Sequence, residues 1–76
     1  MNIAKENKCQ IKTMRENFKR LREKRGWSIQ ELAKASGISK QTLHRMEGGG
    51  NFRLLSLFKL CEFYNIKSHE VFMRLD

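Results

Sequence analysis

Apolar residues recur along this chain at helical spacing, punctuated by glycines and small polar residues. Met14, Phe18 and Leu21 stand four and three apart, one face of a helix, and Arg15, Lys19, Arg20, Lys24 and Arg25 cover the rest. Gly26 follows the basic residues and predicts the end of that helix. Residues 1–12 mix Lys, Asn and Gln with isolated Ile3 and Ile11, a pattern that fits an arm or an extension of the first helix. Ser28-Ile-Gln-Glu31 reads as a capping box for a second helix, which carries Ile29, Leu32 and Ala33 and stops near Ser36-Gly37. Ser39 caps a third helix that reaches Met46 or Glu47, with Leu43 and Met46 inward, and Gly48-Gly49-Gly50 ends it. A fourth spans about Arg53 to Tyr64, and its Leu54, Leu55, Leu57, Phe58, Leu60, Cys61 and Phe63 are apolar on more than one face. Such a helix is central to the core, or it also meets a second chain. Asn65 breaks it, and Ser68 starts a short last helix with Val71, Phe72 and Leu75. Five helices with short connections predict an all-α domain over residues 13–76.

Composition narrows the function. A chain of 76 residues holds one small domain, which buries only about 60% of the surface its unfolded form exposes. That excludes a large catalytic cleft, and no nucleophile–base–acid constellation is visible, so an enzyme is not expected. With 39% hydrophobic residues and no proline, a small helical core is feasible. Sixteen Lys and Arg against eight Asp and Glu give a net charge of +8, which points to a polyanionic partner, nucleic acid or an acidic membrane surface. The membrane option fits less well. The basic first helix has a narrow apolar face that belongs to a core, and no run approaches the roughly 18 apolar residues of a span. Cys9 and Cys61 lie far apart, the charged start lacks the apolar stretch of a secretion signal, and Cys61 falls in an apolar run as a buried thiol would. The expectation is a reduced, cytoplasmic compartment. Cys9, Cys61, His44 and His69 lack the paired spacing of a zinc site, so no metal and no cofactor are expected.

The second and third helices carry the sharpest signal, Ala33-x3-Gly37-x5-Leu43. A small residue allows two helices to cross closely, glycine supplies the positive φ of a tight turn, and leucine pins the second helix onto the first. The product is a helix-turn-helix over about residues 28–47. Leu32-Ala-x3-Gly-Ile-Ser-x2-Thr-Leu-x3-Glu47-x-Gly49 resembles the Cro/CI (lambda-repressor-like, or XRE) family. Leu54-x2-Leu57-x2-Leu60-Cys-x2-Tyr-Asn-Ile-x-Ser68 extends the likeness into that family's fourth helix and the start of its fifth, so it covers about residues 14–75. The resemblance implies a five-helix DNA-binding domain that acts as a symmetric dimer on double-stranded DNA.

Lys40, Gln41, Thr42, His44 and Arg45 fall on the exposed side of the third helix, either a solvated polar face or a DNA contact. By family position, Lys40, Gln41 and Arg45 match the base readers; Gln suits adenine N6 and N7, and Arg and Lys suit guanine O6 and N7. Ser39, Thr42 and His44 are secondary contacts in the same reading, and Asn51 and Arg53 match the family's phosphate-contacting loop. Many members carry Gln at the second position of the second helix; this chain has Ile29 there, which leaves a phosphate to Gln30, Ser28 or backbone N–H groups. Arg22 and Glu47 match an ion pair common in the family. The triple glycine lacks the following Lys and Ser/Thr of a nucleotide loop. Tyr64, Phe72, Met73 and Leu75 cluster near the end of a chain too small to hide them all, which predicts a dimer interface.

The expected function is therefore a homodimeric, sequence-specific regulator of transcription, binding an inverted-repeat operator with its third helix in the major groove. Small proteins of this kind include restriction–modification controllers, phage repressors and antitoxins of bacteria and mobile elements. The alternative is a protein-interaction module that masks a toxin, with DNA binding secondary. No small-molecule ligand is expected.

Overall fold

The computed structural model describes residues 5–73, with side chains from Cys9 onward. It contains α1 (Lys5–Lys24), α2 (Ile29–Ser36), α3 (Lys40–Gly48), α4 (Leu54–Tyr64) and a terminal 3₁₀ helix (Ser68–Phe72), with no strand among the described residues. Among the described residues the chain is all-helical, and its fifth element is a 3₁₀ helix where the all-α pattern predicts a short last helix.

The reason lies in α1. Asn17 is buried, and its Nδ2 donates to the carbonyls of Val71 at 2.8 Å and Met73 at 2.6 Å. An α-helix would give the Val71 carbonyl to the amide four residues on; here a side chain takes it, and Met73 is already extended with φ −106° and ψ 155°. Leu75 lies outside the described residues.

Caps set the other boundaries. The chain leaves α1 with Gly26 N–H donating to Glu23 O and Trp27 N–H to Arg22 O. Ser28 and Glu31 form the reciprocal box, and Gly37, at φ 76°, closes α2 with its N–H on Ala33 O. Ser39 Oγ accepts from Thr42 N–H at 3.2 Å and starts α3. Residues 5–12 form the first turns of α1.

The core gathers Met14 and Phe18 of α1, Leu32 of α2, Leu43 and Met46 of α3, Leu57, Leu60, Cys61 and Tyr64 of α4, and Val71, with Ile38 from the turn. α1 packs against α3 and the 3₁₀ helix, and α2 against α3 and α4. Both helices of the α2–α3 corner are thereby held in place, and the outer side of α3 is left to solvent.

Candidate nucleic-acid interface

Leu43 and Met46 are completely buried, which anchors α3 by its inner side. Lys40, Gln41, His44 and Arg45 are exposed. Steps of one, four and five residues keep these four on one side of the helix. Two are cations, and the first turn of α3 holds no acidic residue.

Arg45 is the hinge between this face and the loop that follows. A Cβ built on Gly50, whose φ is 112°, would sit 3.2 Å from Arg45 Cγ. Glycine there lets the loop turn back beneath the arginine stem. The turn creates an open cleft lined by Thr42, Arg45, Asn51, Phe52, Arg53 and Ser56. Four of the six are residues the sequence singles out for DNA contact. Phe52 and Ser56 are not; they carry neither charge nor motif, and only the loop's path brings them in. Arg53 is also the N-cap of α4, with no side-chain cap hydrogen bond, so a guanidinium stands at the positive end of a helix dipole.

The hydroxyl groups are already engaged locally. Ser39 Oγ donates to Thr42 Oγ1 at 2.8 Å as well as capping α3. Ser28 Oγ accepts from Glu31 N–H at 3.1 Å, and Ser28 N–H donates to Glu31 Oε1 at 2.9 Å. The N–H and the hydroxyl of Ser28 therefore serve the capping box, and the Glu31 carboxylate occupies the start of α2. Gln30 is exposed beside it.

Arg22 meets Glu47 at 3.0 Å, with only 14% and 7% of the two side chains exposed. The Glu47 hydrogen bond raises the Arg22 pKa against the opposing effect of burial. The guanidinium of Arg15, which the motif does not mark, donates to the carbonyls of Arg45, Met46 and Gly50.

One sequence expectation needs correcting. Tyr64 is 6% exposed, its ring 6.3 Å from Phe18 and 5.3 Å from Phe63, so it belongs to the core of one chain and not to an exposed patch. Phe72 is half-buried and Met73 is 58% exposed. Among the described residues the exposed large apolar side chains are Met73, as expected for the patch, and Leu54, Leu55 and Phe58 on α4. The excess of apolar positions on that helix was the signal for them.

Both cysteines are free; Cys61 is buried, which pushes its thiol pKa up. No group of three His, Cys, Asp or Glu among the described residues could hold a metal ion, and no described helix is long and apolar enough to cross a membrane.

No curated protein and no solved structure matches the chain. A helix-turn-helix family model matches residues 18–72, well over half of the 76. That stretch contains the α2–α3 corner, the exposed face of α3 and the cleft beside it, and the chain belongs to the DNA-binding helix-turn-helix family of the Cro/CI (XRE) type.

Proposed function

We propose that this protein is a dimeric, sequence-specific regulator of transcription that lays α3 in the major groove of its operator. The observation that carries the reading is the continuity of the exposed α3 face with the cleft that gathers Thr42, Arg45, Asn51 and Arg53. Lys40, Gln41 and Arg45 read base edges. Asn51, Arg53 and the N-terminus of α4 hold a phosphate, with Ser39, Thr42 and His44 as secondary contacts. Gln30 serves a second phosphate, and Ser28 contributes through the cap it makes. Two copies related by a twofold axis would read an inverted repeat whose half-sites lie about 34–36 Å apart or at a multiple of that spacing.

The test begins with selection of a preferred duplex from random DNA, followed by competition binding. Gln41→Ala and Arg45→Ala should each lose about 1–3 kcal/mol on the selected duplex and much less on random DNA. Arg53→Ala should weaken both alike and flatten the salt slope by about one. If neither α3 variant loses preference, α3 is not the reader. The exposed apolar residues of α4 would equally suit a toxin partner. Stoichiometric co-purification with a neighbouring gene product, and no DNA selectivity, would favour that role.

A further inference from the structure

Arg15 stands thirty residues before Arg45 in sequence, yet its guanidinium is shared among the backbone of the base-reading helix and the loop after it. Nη1 donates to the carbonyls of Arg45 and Met46, the latter at 3.2 Å, and Nη2 donates to Gly50 O at 3.2 Å. Its Cζ also lies 5.9 Å from the centre of the Phe52 ring. We propose that Arg15 is a positioning residue for DNA recognition, holding the end of α3 and the Gly50–Arg53 loop in one fixed frame. This role rests on the proposed function and deepens it.

Three physical points support the assignment. The last carbonyls of a helix carry its negative dipole end; Arg45 O already accepts the Gly49 N–H at 3.1 Å, and Arg15 adds a charged donor to it and to Met46 O. The one basic residue in the last turn of α3 is Arg45, whose side chain faces the cleft, so the compensating cation comes from α1. Second, a planar guanidinium can bridge several carbonyls at fixed angles, which a lysine ammonium on a flexible stem cannot do. Third, Arg15 and Arg22 are seven residues apart, two turns along one side of α1. They grip the end of α3 at two points, its carbonyls and the Glu47 side chain. The Arg22 grip fixes the helix. The Arg15 grip adds the loop, and it thereby sets the distance between groups that read bases and groups that hold phosphate.

A misplaced frame lowers specific binding while leaving the charge count of the DNA face unchanged. Arg15→Met and Arg15→Lys, compared after circular dichroism shows native helix content, should bind the selected duplex about tenfold more weakly, the scale of one charged hydrogen bond. Random-DNA binding and the salt slope should stay at the wild-type level for Arg15→Lys, because the donors of Arg15 face protein carbonyls. The lysine variant should not restore the preference. Without any DNA, amide exchange should accelerate at Gly49–Arg53 in both variants and stay slow in α2.

Equal losses on selected and random DNA, with a slope lower by about 0.9, would make Arg15 a phosphate contact and overturn the proposal. Full preference in both variants, with unchanged exchange at Gly49–Arg53, would overturn it too. Both outcomes leave the proposed function standing. A wild-type protein with no preferred duplex would overturn the proposed function itself, and this role with it.

Discussion

Arg22 clasps the carboxylate of Glu47 with three hydrogen bonds, from Nε to both oxygens at 3.2 and 3.0 Å and from Nη2 to Oε1 at 3.1 Å. The remaining nitrogen, Nη1, donates to Trp27 O at 2.7 Å, so the same guanidinium ties the end of α3 to the loop before α2. A carboxylate at a helix C-terminus is disfavoured by the dipole, and Arg22 offsets that charge. Breaking one half of the pair leaves an uncompensated, mostly buried charge. Arg22→Met or Glu47→Gln should each destabilise the fold by roughly 2–4 kcal/mol, somewhat below the cost seen for fully buried pairs. The double substitution Arg22→Met with Glu47→Leu should recover part of the loss. Urea unfolding measures all three, and single losses under about 0.5 kcal/mol would reduce the pair to surface status.

The capping box makes a pH-dependent contribution of its own. The Ser28 backbone N–H, and then its hydroxyl, hold the Glu31 carboxyl below its usual value of 4.5. A carboxyl lowered in the folded state leaves the unfolded chain binding more protons in the interval between the two values, so stability rises with pH there. The contribution is present above pH 4.5 and is lost as pH falls through the folded value. Glu31→Gln should therefore be less stable than the wild-type protein at neutral pH, with the gap closing in acid. A gap that stays constant from neutral pH to about pH 3 would show that the carboxylate charge does not act at this cap.

Sequence periodicity and caps make α2 and α3 legible nearly to the residue, because Ser28, Gly37 and Ser39 act locally on their own backbone. α1 is harder. It begins at Lys5, where the apolar pattern suggests a sharp start only near Met14. None of Cys9–Thr13 belongs to the buried core, and a helical stretch that buries little shows little periodicity. The last element was legible in place but not in type, since the Asn17 bonds that end it cross 54 and 56 positions of sequence. The burial of Tyr64 is not legible in the sequence, because composition does not say which of several apolar faces meets the core. Arg15 left no trace in any motif, for its partners are backbone carbonyls, which every residue has.

Leu54, Leu55 and Phe58 are 62%, 74% and 46% exposed, and Met73 is 58% exposed. A helix turn that offers this much apolar surface to water gains by covering it. In a dimer closed through this face, Leu55→Lys and Phe58→Asp should shift the protein to monomer without loss of helix content, because neither side chain belongs to the buried core. Sedimentation equilibrium at micromolar concentration reads the shift directly. DNA affinity should fall with it, as each half-site is then bound alone. A wild-type protein of single-chain mass at that concentration, or unaltered dimers in both variants, would remove this face from the interface.

Tyr64 supplies a test of the core that needs no DNA. Its hydroxyl is buried without a hydrogen-bond partner among the described residues. Burial pushes its pKa up to about 12; Glu47 adds to the rise, while Arg25 and Arg22 oppose it. The folded chain thus keeps the phenol neutral at pH values where the unfolded chain, titrating near 10.0, has already lost the proton. Stability from this residue is complete below pH 10 and declines as pH rises from there toward 12, by on the order of 2 kcal/mol in all. Tyr64→Phe keeps the ring packing against Phe18 and Phe63 and removes the unpaired hydroxyl, so at neutral pH it should match the wild-type protein or exceed it by about 1 kcal/mol. Above pH 10 its advantage should widen, because the phenylalanine has no proton to lose while every other titrating group is common to both chains. Chemical denaturation of the two proteins at a series of alkaline pH values isolates that difference. If it stays flat from about pH 9 to 11.5, the Tyr64 hydroxyl is solvated or paired, and its placement in the core as described is wrong.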